Sequence, residues 1–79
     1  MAWNETVMKL ESMVMARRTI LLLTKVSSFH GQWFGVSEIA DRAKLAKSTT
    51  HRYLAVFVEL GILDYEPMTQ KYKAMSNKK

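Results

Sequence analysis

The chain of 79 residues lacks cysteine and contains only one proline, three glycines and two histidines. Without cysteine it forms no disulfides, iron–sulfur clusters or thiolate zinc sites. His30 and His51 each have no metal-ligating residue at i+3 or i+4, so the sequence predicts neither a metal site nor a Ser-His-Asp triad. We therefore expect no cofactor and no catalytic activity. The hydrophobic fraction of 48% and charged fraction of 24% are those of a globular domain.

Long apolar runs and targeting patterns are also missing. The longest aliphatic run is Ile20–Leu23, whereas a membrane-spanning helix needs roughly 20 apolar residues. The N-terminal segment Met1–Glu5 does not have the basic and then apolar layout of a signal peptide. The sequence therefore predicts a cytoplasmic protein with no membrane contact.

The charge is unevenly distributed along the chain. The net charge is +5, and all of it lies in residues 42–79, which hold eight basic and three acidic residues. Such an excess in one half is typical of a surface that faces a polyanion. Ordinary solubilising charge is the alternative interpretation.

The spacing of apolar residues predicts three helices. Residues 4–28 form the first, a long one, because apolar side chains recur every three or four positions at Trp3, Val7, Leu10 and Val14. The second helix is expected at Ser37–Ala43, with Ser37 as its N-cap. The third is expected at Lys47–Leu60, where Gly61 ends it.

The remaining segments predict a loop and a hairpin. Residues 29–36 contain two glycines and form a loop with one short strand at 33–36. Strands at 62–65 and 71–75 flank a turn with Pro67 at a permitted position. We expect the four aromatic side chains between residues 33 and 57 to lie in the core, namely Trp33, Phe34, Tyr53 and Phe57.

This order of elements predicts a mainly α fold with a small β-hairpin, a winged helix-turn-helix with a long N-terminal helix. In such a domain the third helix enters the major groove of duplex DNA, and the basic hairpin, or wing, lies on the flanking phosphates. The lysines of the wing, Lys71 and Lys73, share one face of their strand.

Residues 23–75 resemble the N-terminal winged-helix domain of the IclR (isocitrate lyase regulator) family of bacterial transcription factors. Residues 36–54 read VSEIADRAKLAKSTTHRYL, against a family pattern like lsElArrtGLpkSTvhRlL. Residues 59–63 (ELGIL) and 66–73 (EPMTQKYK) resemble the family's exGyl and its wing, dpxtgxYx. The resemblance implies a transcriptional regulator that binds double-stranded DNA. By analogy, a short chain of this kind is similar to the small free-standing winged helices that act as phage and plasmid regulators.

Three residues depart from the family pattern. Lys44 stands where the family usually has glycine, Ala46 replaces the usual Pro or Ser near the N-cap of the third helix, and Gln70 replaces the glycine at the wing tip. If residue 44 needs a positive φ, lysine costs about 1 kcal/mol there. The family's larger C-terminal effector domain has no counterpart in this sequence, so the resemblance implies no small-molecule sensing.

Seven residues are predicted to contact DNA. By the resemblance, Ser48, Thr49 and Arg52 match DNA-facing positions of the family. The remaining candidates are phosphate contacts, namely Lys47, His51, Lys71 and Lys73. The alternatives are capping of the third helix by Ser48 and Thr49, an ion pair of Arg52 with Glu38, Asp41 or Glu59, and solvated side chains for the rest.

The first helix is longer than so small a domain can cover. We expect only its last turns, about residues 17–28, to pack into the core. We therefore divide the chain into an extension (1–16), a winged-helix domain (17–75) and a flexible tail (76–79). The extension is predicted to form a homodimer through the stripe of Trp3, Val7, Leu10 and Val14. It could instead fold back on its own domain.

The rival function is a winged-helix module that binds protein, or an accessory DNA-binding protein of recombination or replication.

Overall fold

The computed structural model describes the backbone of residues 2–75 and the side chains of residues 12–75. Three helices are followed by an antiparallel hairpin: α1 (Ala2–Ser27), α2 (Val36–Ala43), α3 (Lys47–Glu59), β1 (Leu63–Glu66) and β2 (Lys71–Ala74). This architecture confirms the predicted winged helix-turn-helix.

Helix α1 is much longer than the body that it packs on. Its 26 residues span about 39 Å at 1.5 Å per residue. Within the described side chains of this helix, burial begins only at Leu22, which is followed by Val26 one turn later. The side chains from Ser12 to Ile20 are exposed or half-buried. Among the described side chains of α1, from Ser12 onward, only those of the last two turns therefore belong to the core.

Helix α2 begins one residue earlier than predicted. Its N-cap is Gly35, which has extended backbone angles, and the Gly35 N–H donates to Glu38 Oε1 at 2.8 Å. The predicted N-cap, Ser37, is the second helical residue, so that prediction was wrong. The carboxylate of Glu38 supplies the cap interaction from within the first turn.

The turn between α2 and α3 forces a lysine into the left-handed region. Lys44 has φ 58° and ψ 43°. Its N–H donates to the Asp41 carbonyl at 3.3 Å, and the Leu45 N–H donates to the Ala40 carbonyl at 3.1 Å. These two bonds form a Schellman motif, which requires a left-handed residue after the helix. Because the φ of Lys44 is positive, the conformational cost that the sequence predicts for a lysine at this position applies.

A second Schellman motif ends α3, this time at a glycine. Gly61 has φ 80°, its N–H donates to the Val58 carbonyl at 3.0 Å, and the Ile62 N–H donates to the Phe57 carbonyl at 2.8 Å. Glycine adopts this conformation without a Cβ penalty. The chain can therefore reverse sharply into β1.

The core sits where α1, α2, α3 and the hairpin meet. Its buried side chains are Leu22, Val26, Phe29, Phe34, Ile39, Ala43, Leu54, Phe57, Leu63 and Tyr72. The rings of Phe29 and Phe34 stack with centroids 4.4 Å apart. Of the four aromatic residues predicted to be core, Phe34 and Phe57 are buried and Tyr53 is half-buried. Trp33 is 43% exposed, so its assignment to the core was wrong.

Candidate nucleic-acid interface

The outward face of α3 is basic and hydroxylated. One side of α3 packs on the core through the buried side chains of Thr50, Leu54 and Phe57. Because a helix repeats every 3.6 residues, the intervening positions point outward. Four of them are exposed and Thr49 is half-buried, so the predicted residues of this helix lie together on its outer side: Lys47, Ser48, Thr49, His51 and Arg52.

The N-terminus of α3 keeps its positive end uncovered. Its N-cap is Ala46, which offers no side-chain hydrogen bond, and its first turn contains no acidic residue. Ser48 and Thr49 are the second and third helical residues, so the alternative that they cap α3 is wrong. Uncapped N–H groups at a helix start favour anions. The first turn of α3, which begins with Lys47, therefore has the electrostatics of a phosphate contact.

Arg52 and Arg42 differ in what they touch. The guanidinium of Arg42 donates to Ser28 Oγ at 2.8 Å and to the Ser28 carbonyl at 3.4 Å, and it lies 4.0 Å from the centroid of the Phe29 ring. Arg42 thus ties α2 to the end of α1. Arg52 is exposed, and no hydrogen bond or ion pair joins it to another residue in the part of the chain that the structure describes.

The two wing lysines are in unequal surroundings. In the register of the hairpin, Lys71 lies opposite Glu66 and Lys73 lies opposite Asp64. The Lys73 ammonium also lies 4.8 Å from the centroid of the Trp33 ring and its side chain is half-buried. Lys71 is exposed. The sequence predicted that both lysines share one face of their strand. It did not predict the contact between Lys73 and the Trp33 ring, because these two residues are distant in the chain.

The wing is fixed to the body through Tyr72. Phe34 and Tyr72 exchange two backbone hydrogen bonds of 2.8 Å, so residue 34 adds a short third strand position to the hairpin. This bridge lies within the short strand predicted at 33–36. Burial raises the pKa of Tyr72 above its usual value, and the nearby Tyr65 raises it further. Because the pKa of Tyr72 is higher in the folded chain than the unfolded value of 10, the protonated phenol stabilises the fold fully at pH values below 10. This stabilisation is lost as the pH rises through the folded pKa.

An apolar groove, which we name the α1–α3 groove, opens beside α3. Its volume is about 730 Å³. Four residues of α1, five of α3 and the C-cap residue of α3 line it: Val14, Met15, Arg18 and Thr19, with Thr49, Arg52, Tyr53, Val56, Phe57 and Leu60. Sequence reasoning missed Val56 and Leu60, although both follow Arg52 at helical spacing.

The predicted dimer residues are only partly described. Val14 lines the α1–α3 groove and is 46% exposed. Trp3, Val7 and Leu10 lie outside the described side chains, although their backbone belongs to α1.

Two features are absent from the described residues. None of their helices is both long and apolar enough to cross a membrane. Within the same residues, no group of three or more His, Cys, Asp or Glu side chains is placed to hold a metal ion.

Comparison with known proteins identifies the family. No curated protein and no solved structure matches the chain. The family model of the IclR helix-turn-helix domain matches residues 16–67, which run from the exposed part of α1 through both later helices into the turn of the wing. The match covers more than half of the chain and includes the basic face of α3. The chain therefore belongs to the IclR helix-turn-helix family, a family of DNA-binding domains.

Proposed function

We propose that this protein is a dimeric transcriptional regulator that binds double-stranded DNA in a sequence-specific manner and has no catalytic activity. The observation that carries the proposal is the outer face of α3, where exposed basic and hydroxylated side chains surround Arg52. We place its action in the cytoplasm, where a regulator of this type meets DNA.

Helix α3 is the reading helix in this proposal. Its N-terminal half enters the major groove, where Ser48 and Thr49 bond phosphate or base edges and Arg52 grips a guanine or a phosphate. Lys47 and His51 contact phosphates of the DNA backbone beside the major groove. Because Arg52 has no partner among the described residues, its guanidinium can bind DNA without first breaking an internal contact.

The wing supplies contacts that do not depend on sequence. Lys71 and Lys73 lie on β2, which the Phe34–Tyr72 bridge holds against the body. We assign both to phosphates of the flanking backbone, where neutralising charge adds affinity that falls with salt.

Dimerisation through the stripe of α1 completes the proposal. One domain offers few phosphate contacts, and a two-fold dimer presents two reading helices to half-sites about one or two helical turns apart. The apolar side chains that α1 leaves exposed between Ser12 and Ile20 support such an association surface.

The rival function, a winged helix that binds another protein, makes a different demand on α3. It calls for large apolar side chains on the outward face. The first two turns of α3 carry none there, and the exposed Val56 and Leu60 lie on the side that lines the α1–α3 groove. We therefore prefer DNA as the ligand of the outer face.

Selection of bound fragments from random duplex DNA tests the proposal, because a sequence-specific reader enriches one motif. On that motif, Arg52→Ala should weaken binding by roughly 1–3 kcal/mol, or about 5- to 150-fold. The matched variant Arg52→Lys keeps the charge and loses the planar fork, so it should retain phosphate contacts and lose discrimination of a guanine. An Arg52→Ala variant with full affinity for its motif would refute the assignment of α3.

A further inference from the structure

The α1–α3 groove combines an apolar lining with two positive charges. The two charges are the guanidinium groups of Arg18 on α1 and Arg52 on α3. Among the described residues that line the groove, none is acidic. Four of its apolar side chains are exposed: Val14, Met15, Val56 and Leu60. The groove therefore offers a ligand both an apolar wall and positive charge that no lining residue neutralises.

We propose that the α1–α3 groove binds a free small molecule with an apolar body and an acidic head group, which Arg18 and Arg52 hold. The inference rests on the proposed DNA-binding function, because it makes this ligand a competitor of DNA for Arg52. It adds a ligand site within the winged helix itself, which the resemblance to the family does not imply.

The groove has the dimensions of a small-molecule site. Its volume is about 730 Å³, and ligand pockets typically have volumes of roughly 300–1,000 Å³. Buried Phe57 and half-buried Tyr53 are part of its wall, beside the exposed Val56. A mostly apolar lining with a few polar groups that fix the orientation of the ligand is the usual composition of such a site.

The two guanidinium groups determine the charge of the occupant. Neither Arg18 nor Arg52 makes a hydrogen bond or an ion pair within the part of the chain that the structure describes. A purely apolar occupant would remove both charges from water without giving them a partner, which is unfavourable. A carboxylate or a phosphate instead accepts charge-assisted hydrogen bonds from both groups. The head group is therefore anionic.

The apolar wall determines the body of the occupant. Val56 and Leu60 follow Arg52 by four and eight residues, which places them about one and two turns further along the chain. A DNA phosphate can bind Arg52, but it leaves these two side chains in water. A hydrocarbon body that extends from the arginines towards Leu60 covers them and gains free energy from the apolar area that it buries.

Arg52 belongs both to the groove and to the reading face of α3. A head group bound to Arg52 occupies the guanidinium that the proposed function assigns to DNA, and it adds a negative charge beside the phosphates. Ligand and DNA therefore lower each other's affinity by the same factor, as linkage requires. Arg18 lies on α1 and is not one of the predicted DNA contacts, so a change at Arg18 separates ligand binding from DNA reading.

Calorimetric titration of the full chain tests the site, with decanoate below its critical micelle concentration as the probe. We expect decanol, which has no charge, to bind at least about 10-fold more weakly than decanoate, because it forms no charge-assisted hydrogen bonds. Decyl phosphate is titrated in the same way. Binding of either anion more tightly than decanol supports the site, and the tighter anion identifies the class of head group.

Three variants locate the binding. Arg18→Met removes the charge and keeps an unbranched side chain, so it should weaken decanoate about 10-fold or more and leave decanol unchanged. Arg17→Met is the matched control, since Arg17 is exposed and does not line the groove; it should bind decanoate as the wild type does. Val56→Ser with Leu60→Ser removes apolar contact and should weaken decanoate and decanol alike.

DNA binding provides a second readout. Saturating decanoate should raise the Kd of the wild type for its selected duplex about 10-fold, a typical coupling between two sites. The same concentration should have this effect on Arg17→Met and little effect on Arg18→Met. Equal weakening of DNA binding in Arg18→Met would overturn the inference, because decanoate would then act outside the groove.

The outcomes separate this inference from the proposed function. A wild-type chain that binds decanoate and decyl phosphate no more tightly than decanol refutes the ligand site and leaves DNA reading by α3 intact. A chain that binds decanoate through Arg18 but enriches no motif from random duplex DNA keeps the ligand site and refutes the proposed function instead.

Discussion

Helices α1 and α3 both leave long stretches of side chain in water, but the chemistry of those stretches differs. Between Ser12 and Ile20, α1 exposes Met13, Val14, Met15 and Ile20. The first two turns of α3 expose lysine, serine, histidine and arginine instead. An apolar surface gains free energy when any apolar partner removes it from water, whereas a basic surface gains it from a polyanion. The comparison teaches that exposure locates both surfaces, and that their residue types favour an apolar partner for one and a polyanion for the other.

Breaking the α1 surface should have the largest effect on DNA binding. Val7→Glu with Val14→Glu places charges in the stripe, so we expect a folded monomer that binds a two-half-site duplex at least about 100-fold more weakly, since linked sites gain that much from effective concentration. Titration of the duplex at fixed salt measures the loss.

The control for that experiment is Ser12→Glu with Ser27→Glu, which adds the same charge at exposed polar positions of α1 outside the α1–α3 groove. On a duplex with one half-site, all three proteins should bind equally apart from a small charge effect. A stripe variant that binds the two-half-site duplex as tightly as this control would show that α1 has no part in DNA binding.

The wing offers a finer test on the basic side of the comparison. Each lysine lost from a phosphate should flatten the slope of log K against log salt by about 0.9. We expect the full effect for Lys71→Ala and a smaller one for Lys73→Ala, because the Lys73 ammonium already lies against the Trp33 ring and its side chain is half-buried. Binding at four or more salt concentrations measures both slopes. If the variants change the preferred motif and leave the slopes alone, the wing reads bases.

The left-handed lysine gives a stability prediction. Lys44→Gly should raise the free energy of unfolding by about 1 kcal/mol, since glycine accepts φ 58° without a Cβ penalty. Thermal unfolding should show this as a rise of roughly 4–8 °C in Tm. Lys44→Ala removes the same charge and keeps the Cβ, so it should not stabilise. Equal Tm values for the two variants would contradict the strain.

The smallest effect is expected at the start of α3. Ala46→Ser supplies the missing side-chain cap and should stabilise the domain by about 0.5–1 kcal/mol. Ala55→Ser, on the exposed side of the same helix, is the control, because serine in a helix interior gains no cap. Urea unfolding of both variants decides between them. A gain at residue 55 as large as at residue 46 would argue against a capping effect.

The elements were predictable because each has a local signal. The three-and-four spacing gave α1, and Gly61 marked the end of α3 to within one residue. The departure of Lys44 from the family's glycine indicated the left-handed turn that the structure contains. These features depend on neighbours within about five positions, which a sequence displays directly.

One error is local, and the others concern contacts between residues distant in the chain. Ser37 was a reasonable N-cap by residue type, but the carboxylate of Glu38 reaches back to Gly35. Trp33 was assigned to the core, yet it lies half-exposed under Lys73. The α1–α3 groove also depends on how far α1 passes α3, which no local pattern encodes. The α1–α3 groove was therefore the least predictable part of the site.

The contact between Lys73 and Trp33 makes the wing visible to fluorescence. Indole emission responds to a charge held close to the ring, and here that charge is the one that we assign to a phosphate. The chain has only two tryptophans, so Trp3→Phe leaves Trp33 as the sole emitter. A change in its emission would then follow Lys73 as it exchanges the ring for the DNA backbone, and its time course would give the rate at which the wing engages.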